Sequence, residues 1–206
     1  LRDQYQRDHV SLHAGELTDA FAPPSELSFH IREAVEVAKA ERIGHGIDIR
    51  QEEASAPGVL KTMAERHVLV EINLTSNCQI LVVCAQDHPF ALYRSAGVPV
   101  TLSTDDEGIA RTDLTAEYQQ AVRTFQLTYE DLKTIARAAI EHGFIEGESL
   151  WQAPDDFRPQ DACASDQTGG REPSKTCRQL LDASPKAAVQ WKQEAGFLTF
   201  ERSYGG

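Results

Sequence analysis

Three short clusters in this chain pair apolar runs with groups able to do acid-base or metal chemistry. They are His13-Ala-Gly-Glu16, Gly44-His45-Gly46 and Ser103-Thr-Asp105-Asp106. Taken singly, each has a plain structural explanation. An Asp-Asp pair at a strand-to-helix corner caps helices, an isolated histidine in a strand is ordinarily a satisfied core residue, and Gly-His-Gly makes a tight bend. Together they place two imidazoles and three carboxylates at the ends of successive apolar runs. That is the donor set of a divalent-metal hydrolase, because Zn2+ takes neutral imidazole nitrogen and carboxylate oxygen and keeps a position for water.

The elements that must carry these groups alternate. His9–His13 reads as a strand breaking at Ala14-Gly15-Glu16, and Pro23-Pro24 ends the loop that follows. A helix is predicted from Ser25 to about Ala40, with Leu27, Ile31, Val35 and Ala38 on one stripe. Arg42–Ile49 reads as a short strand and Pro57–Arg66 as a helix. Val68–Leu74 is the clearest β run, Pro89–Ala96 a third helix closed by Gly97, and Val98–Leu102 a fourth strand delivering Asp105 and Asp106. Strand-helix alternation of this kind implies parallel strands with right-handed crossovers and function at their C-terminal ends. Two amphipathic helices, Asp113–Phe125 and Thr128–Glu141, are expected next, the second opened by Thr128 and Asp131. No strand is predicted after them. Gln152–Pro173, rich in Pro, Gly, Asp, Gln and Ser, reads as a surface loop or disordered segment, and Ser174–Phe200 as a helical stretch interrupted at Pro185. The division expected is residues 1–151 as the chemical domain and 152–206 as a loop and helical tail.

Composition narrows the function classes. With 41% hydrophobic and 25% charged residues, the 206-residue chain can bury a sizeable core. A formal net charge of -12, with no run among the 20 Lys and Arg, excludes a nucleic-acid partner. No apolar stretch reaches the roughly 18 residues of a membrane span, so a soluble chain is expected, its compartment open between cytoplasmic and exported. The opening Leu-Arg-Asp-Gln-Tyr reads as the middle of a longer protein. Cys78, Cys84, Cys163 and Cys177 make no CxxC, and pairing of Cys163 with Cys177 is left open.

The same three clusters, in this order, resemble the motifs of the adenosine deaminase family over about His9 to Trp151. Glu71-Ile-Asn-Leu-Thr-Ser-Asn77 and His88-Pro-Phe90 are similar to its bacterial members. The resemblance implies an α/β chain forming the C-terminal half, strands five to eight, of a (βα)8 TIM-type barrel, followed by helices and a polar tail. It further implies that His13 and Asp105 bind one zinc ion, Glu16 protonates purine N1, His45 orients and deprotonates the attacking water, Asp106 holds N7, and Gly15 contacts substrate. The reaction implied is deamination of adenosine or 2′-deoxyadenosine. The family's other two zinc ligands, a His-x-His on the first strand, have no counterpart among the seven histidines here. A missing N-terminal barrel half is thus an implied partner. The alternatives are an inactive remnant or binding module, or a related metal-dependent hydrolase with another substrate.

Overall fold

Short apolar runs separated by helices give this chain one parallel sheet. A computed structural model describes residues 9–55 and 57–204; the opening segment, read above as the middle of a longer protein, lies outside them. The elements in order are Ser11–Ala14 (β1), His30–Glu36 (α1), Arg42–His45 (β2), Ile49–Ser55 (α2), Val59–Glu65 (α3), Leu69–Ile72 (β3), Leu74–Leu81 (α4), Phe90–Ser95 (α5) and Val100–Leu102 (β4). The four strands lie side by side in sequence order and all pair in parallel. At least one helix separates each consecutive pair, the connection that parallel neighbours require. Their C-terminal ends therefore face the same way, and the three sequence clusters follow β1, β2 and β4.

The core explains the order. Ile43, Leu69, Val70 and Ile72 of the central strands are fully buried, the near-continuous apolar pattern of strands covered on both faces. Ile31 and Val35 of α1, Val59 and Met63 of α3, and Phe90 and Tyr93 of α5 join Val70, Ile72, Val100 and Leu102 in one cluster. Gly97, with a positive φ of 77°, turns the end of α5 into the β4 approach. Beyond β4 come Glu107–Ala110 (α6), Leu114–Phe125 (α7) and Tyr129–Glu141 (α8). Asp113 caps α7 through Ala116 N–H (2.8 Å), while Thr128 and Asp131 bond reciprocally at the start of α8, Thr128 N–H at 2.8 Å and Asp131 N–H at 3.2 Å.

Several expectations need correction. The first helix is His30–Glu36 rather than Ser25–Ala40, preceded by a 3-10 turn at Pro24–Glu26. It starts where the Glu52 carboxylate accepts the N–H groups of Ile31 and Arg32, satisfying donors that a helix start leaves free. The second strand stops at His45, because His45 (φ 72°) and Gly46 (φ 61°) both take left-handed backbone, and Ile49 begins a helix instead of ending a strand. Strands also follow the two amphipathic helices: Trp151–Ala153 (β5) and Asp156–Pro159 (β6) pair as an antiparallel hairpin. Gln152–Pro173 is thus neither disordered nor a plain loop.

The chain divides into two units between Ala136 and Arg137. In the second, Leu150, Trp151, Cys163, Cys177, Ala187 and Trp191 form a separate buried cluster. Its helices are Lys175–Ala183 (α9) and Pro185–Tyr204 (α10), the break falling at Pro185 as expected. Cys163 pairs with Cys177, and Cys78 pairs with Cys84. Among the described residues no helix is long and apolar enough to cross a membrane.

The Cys163–Cys177 bridge, 14 residues apart in sequence, sits inside the small second core. Replacing both with serine should lower the unfolding free energy of that unit by about 2–4 kcal/mol. Both tryptophans of the chain, Trp151 and Trp191, report on this core, so fluorescence-detected denaturant titration checks it. An unchanged midpoint would show that the pair contributes nothing there.

Candidate active site

The site is assembled by strand register and by two turns. His13 lies opposite Gly44 and Ala14 opposite His45 in the parallel β1–β2 pair. After Ala14 the chain reverses through Gly15, whose φ is 68° and whose carbonyl accepts from Ile47 N–H at 2.6 Å. A side chain there would come within 2.3 Å of Asp48 Oδ1, so glycine is required both for its φ and for space. The turn brings Glu16 between two imidazoles, with Oε2 3.5 Å from His13 Nδ1 and Oε1 3.4 Å from His45 Nε2. The two rings stand edge to face, centroids 4.9 Å apart. Asp105 closes the other side, its Oδ2 4.0 Å from His45 Nε2 and held by the Ser76 hydroxyl at 2.7 Å. His45 and Asp105 (φ 56°) both occupy left-handed backbone at strand ends, strain that the surrounding structure must hold in place.

Of the residues singled out in the sequence, the structure brings His13, Glu16, His45 and Asp105 together, and Gly15 shapes the turn between them. Asp106 is next to this group but exposed, at the start of α6, and its side chain makes no capping bond. The mouth is open to water at β1. The side chains of His13 and Glu16 are 65% and 40% exposed, because β1 has a strand neighbour on one side only among the described residues. His45, in contrast, is fully buried.

Sequence reasoning gave no role to Asn77 and His88. Asn77 Nδ2 lies 2.9 Å and Asn73 Nδ2 3.3 Å from His45 Nδ1, while His88 Nε2 lies 3.1 Å from Asn77 Oδ1. The signal available was only that these residues sit in segments resembling the family. Burial sets the charge state of this wall. Desolvation pulls His45 below the usual histidine value against the opposing pull of Glu16 and Asp105, and it pulls His88 down to about 4. Both rings are therefore uncharged at neutral pH.

The donor chemistry fits a metal ion. His13 and Glu16 bring an imidazole nitrogen and a carboxylate oxygen together beside His45, the ligand atoms of the three within 4.8 Å of one another, and the Asp105 carboxylate closes the far side. Beside the group a cavity of about 430 Å³ is lined by Leu12, His13, Gly15, Glu16, His30 and Glu33, among others.

Residues 4–152 match the family profile described as Adenosine deaminase. The chain belongs to the adenosine deaminase family. It is 36% identical over 139 residues to the aminodeoxyfutalosine deaminase of Streptomyces coelicolor, covering 67% of this chain and 33% of that protein. Against the adenosine deaminase of Vibrio atlanticus it is 35% identical over 120 residues, 58% of this chain and 35% of the relative. Among solved structures, the N6-methyl-AMP deaminase from Arabidopsis thaliana superposes with a TM-score of 0.55 at 32% identity, over 69% of this chain and 39% of the other. The chain thus spans about a third of the length of the curated relatives it matches.

Behind the Gly15 turn, Asp48 is a further consequence of this packing. Both its carboxylate oxygens are buried without a hydrogen bond, His30 Nδ1 stands 3.7 Å away, and burial beside Glu52 pushes its pKa up from 3.8 to about 7. A raised folded-state value means that the stability due to protonated Asp48 is complete below about pH 4 and is lost as pH rises toward 7. The Asp48→Asn variant should lack this part of the pH dependence and gain stability over wild type at pH 7 to 8. Thermal midpoints measured from pH 4 to 8 check it, and parallel curves for the two proteins would overturn it.

Proposed function

We propose that this member of the adenosine deaminase family carries strands five to eight of a (βα)8 barrel and the matching half of a zinc-dependent site for hydrolytic deamination at purine C6. The observation that carries the reading is Glu16 seated between His13 and His45, with Asp105 on the far side. Four parallel strands in sequence order, with β1 and β4 each bonded to one neighbour among the described strands, support the half-barrel. The remaining half, with its His-x-His, is the partner this reading requires.

His13 and Asp105 would hold the zinc ion. When bound, it supplies Lewis acidity that makes hydroxide available near pH 7. Glu16, which can reach a ring lying in the adjoining cavity, hands a proton to purine N1 as the C6 centre is attacked, so that negative charge does not build on the ring. His45 faces the attacking oxygen through Nε2. Gly15 and the exposed Asp106 flank the base, Asp106 meeting N7. Adenosine or 2′-deoxyadenosine suits the site better than a phosphorylated purine. Among the described residues the ionisable groups lining the cavity are His13, Glu16, His30 and Glu33, with no Lys or Arg to pair with phosphate.

The test joins the coding sequence upstream of Leu1, where it supplies a His-x-His strand, to this chain. Adenosine turnover is expected from the product; absence of turnover on adenosine, adenine and AMP would overturn the reading. In that protein Glu16→Gln should retain zinc, measured by metal analysis, and lose at least ~10² in turnover. Turnover near wild type would give Glu16 a different part.

A further inference from the structure

A chain of buried hydrogen bonds decides which nitrogen of His45 carries its proton. The chain starts from a group with no ambiguity: the backbone N–H of Phe90 donates to His88 Nδ1 at 3.1 Å. A ring nitrogen that accepts has no hydrogen, so the single proton of His88 is on Nε2. There it donates to Asn77 Oδ1, 3.1 Å away. Asn77 is thereby oriented with its oxygen toward His88 and its NH2 toward His45 Nδ1, 2.9 Å away. The opposite amide orientation would leave His88 with two accepting nitrogens and no proton, which neutral imidazole cannot have. The NH2 of Asn73, 3.3 Å from the same Nδ1, adds a second donor. His45 Nδ1 is therefore an acceptor, and the ring's proton is on Nε2. All four residues are buried, and water does not scramble the order.

We infer that Asn77 and His88 are positioning residues that lock His45 as the Nε2–H tautomer, making it a hydrogen-bond donor to whatever oxygen sits among His13, Glu16 and Asp105. The open end of the chain agrees with this. His45 Nε2 is the member left without a hydrogen bond, and the groups nearest it are carboxylate oxygens, Glu16 Oε1 at 3.4 Å and Asp105 Oδ2 at 4.0 Å. Its catalytic meaning rests on the deaminase reading. A donor holds and stabilises negative charge on the attacking oxygen and takes no proton from it, so the relay gives His45 a part other than the base that the family resemblance implies. The metal then has His13 and the carboxylates, and not His45, to bind on this chain.

The tautomer is read directly by long-range 1H–15N correlation spectra of the 15N-labelled 206-residue chain with chelator present, at a pH where imidazoles are neutral. The expected result is His45 and His88 each with a bare Nδ1 and a protonated Nε2. A His45 spectrum of the Nδ1–H form, or of mixed forms, would overturn the relay. The Asn77→Asp variant, whose carboxylate only accepts, should turn His45 to the Nδ1–H form. In His88→Gln, the side-chain amide can still donate to Asn77 Oδ1, so the Nε2–H form should persist. Failure of either shift pattern in a folded variant counts against the relay, and the wild-type spectrum decides should neither variant fold. This readout is independent of turnover. Absence of deamination with the Nε2–H form intact would overturn the proposed reaction and leave the relay standing.

Discussion

Everything at the site depends on the register of β1 against β2. With His13 opposite Gly44, the imidazole lies over a residue that has no side chain, and a Cβ there would stand 2.7 Å from His13 Cδ2. A slip of one residue would send His13 to the other face of the sheet and put Leu12 in its place. The register is pinned just before the strands begin. The Glu41 carboxylate accepts the Val10 N–H at 3.0 Å, and the Glu41 N–H donates to the Val10 carbonyl at 2.9 Å. The geometry of the mouth is thus set by groups one strand length away from it.

Beneath the mouth is a layer of buried polar groups, most of which have partners. Tyr93 donates its hydroxyl proton to the Gly46 carbonyl at 2.6 Å, which fixes the turn carrying His45, and a side chain on Gly46 would strike that hydroxyl. Glu52 spends its carboxylate on the first N–H groups of α1, tying the helix that follows β1 to the one that follows β2. Asp48 is buried with both oxygens unbonded. An unsatisfied buried carboxylate costs stability, and it takes up a proton rather than carry its charge there. The layer therefore combines rigid supports for His45 with one strained group behind Gly15.

The alternation of strands and helices was legible because each apolar run ended in Gly, Asn or Asp, and the chemistry could be placed because those ends carried the ionisable groups. The limits of the second strand were not, since Gly46-Ile47-Asp48-Ile49 continues the period of two that identifies strands. Only the left-handed backbone at His45 and the hydroxyl of Tyr93, a residue 47 positions away from Gly46, end the strand there. Composition likewise misjudged Gln152–Pro173. Its Pro, Gly and Ser suggested a loop, whereas its order comes from Trp151, a hairpin partner and a cysteine bridged to α9. Asn77 and His88 carried no local sign of their contacts, because these depend on how α4 meets the ends of β2 and β3.

The two sides of the site differ in a way that bears on the chemistry itself. His45 is sealed behind Asn73, Asn77 and His88, while His13 is 65% exposed at the edge of the sheet, near Leu12 and Val37, which are also exposed. A carboxyl group serves as a proton donor at neutral pH where water is kept from it, as a low-dielectric setting favours the uncharged form. Glu16 points to the exposed side, its side chain 40% open. Covering β1 would therefore remove water from this carboxyl group. The buried wall is held in place by its own hydrogen bonds, whereas His13 and Glu16 stand open to water at the strand edge.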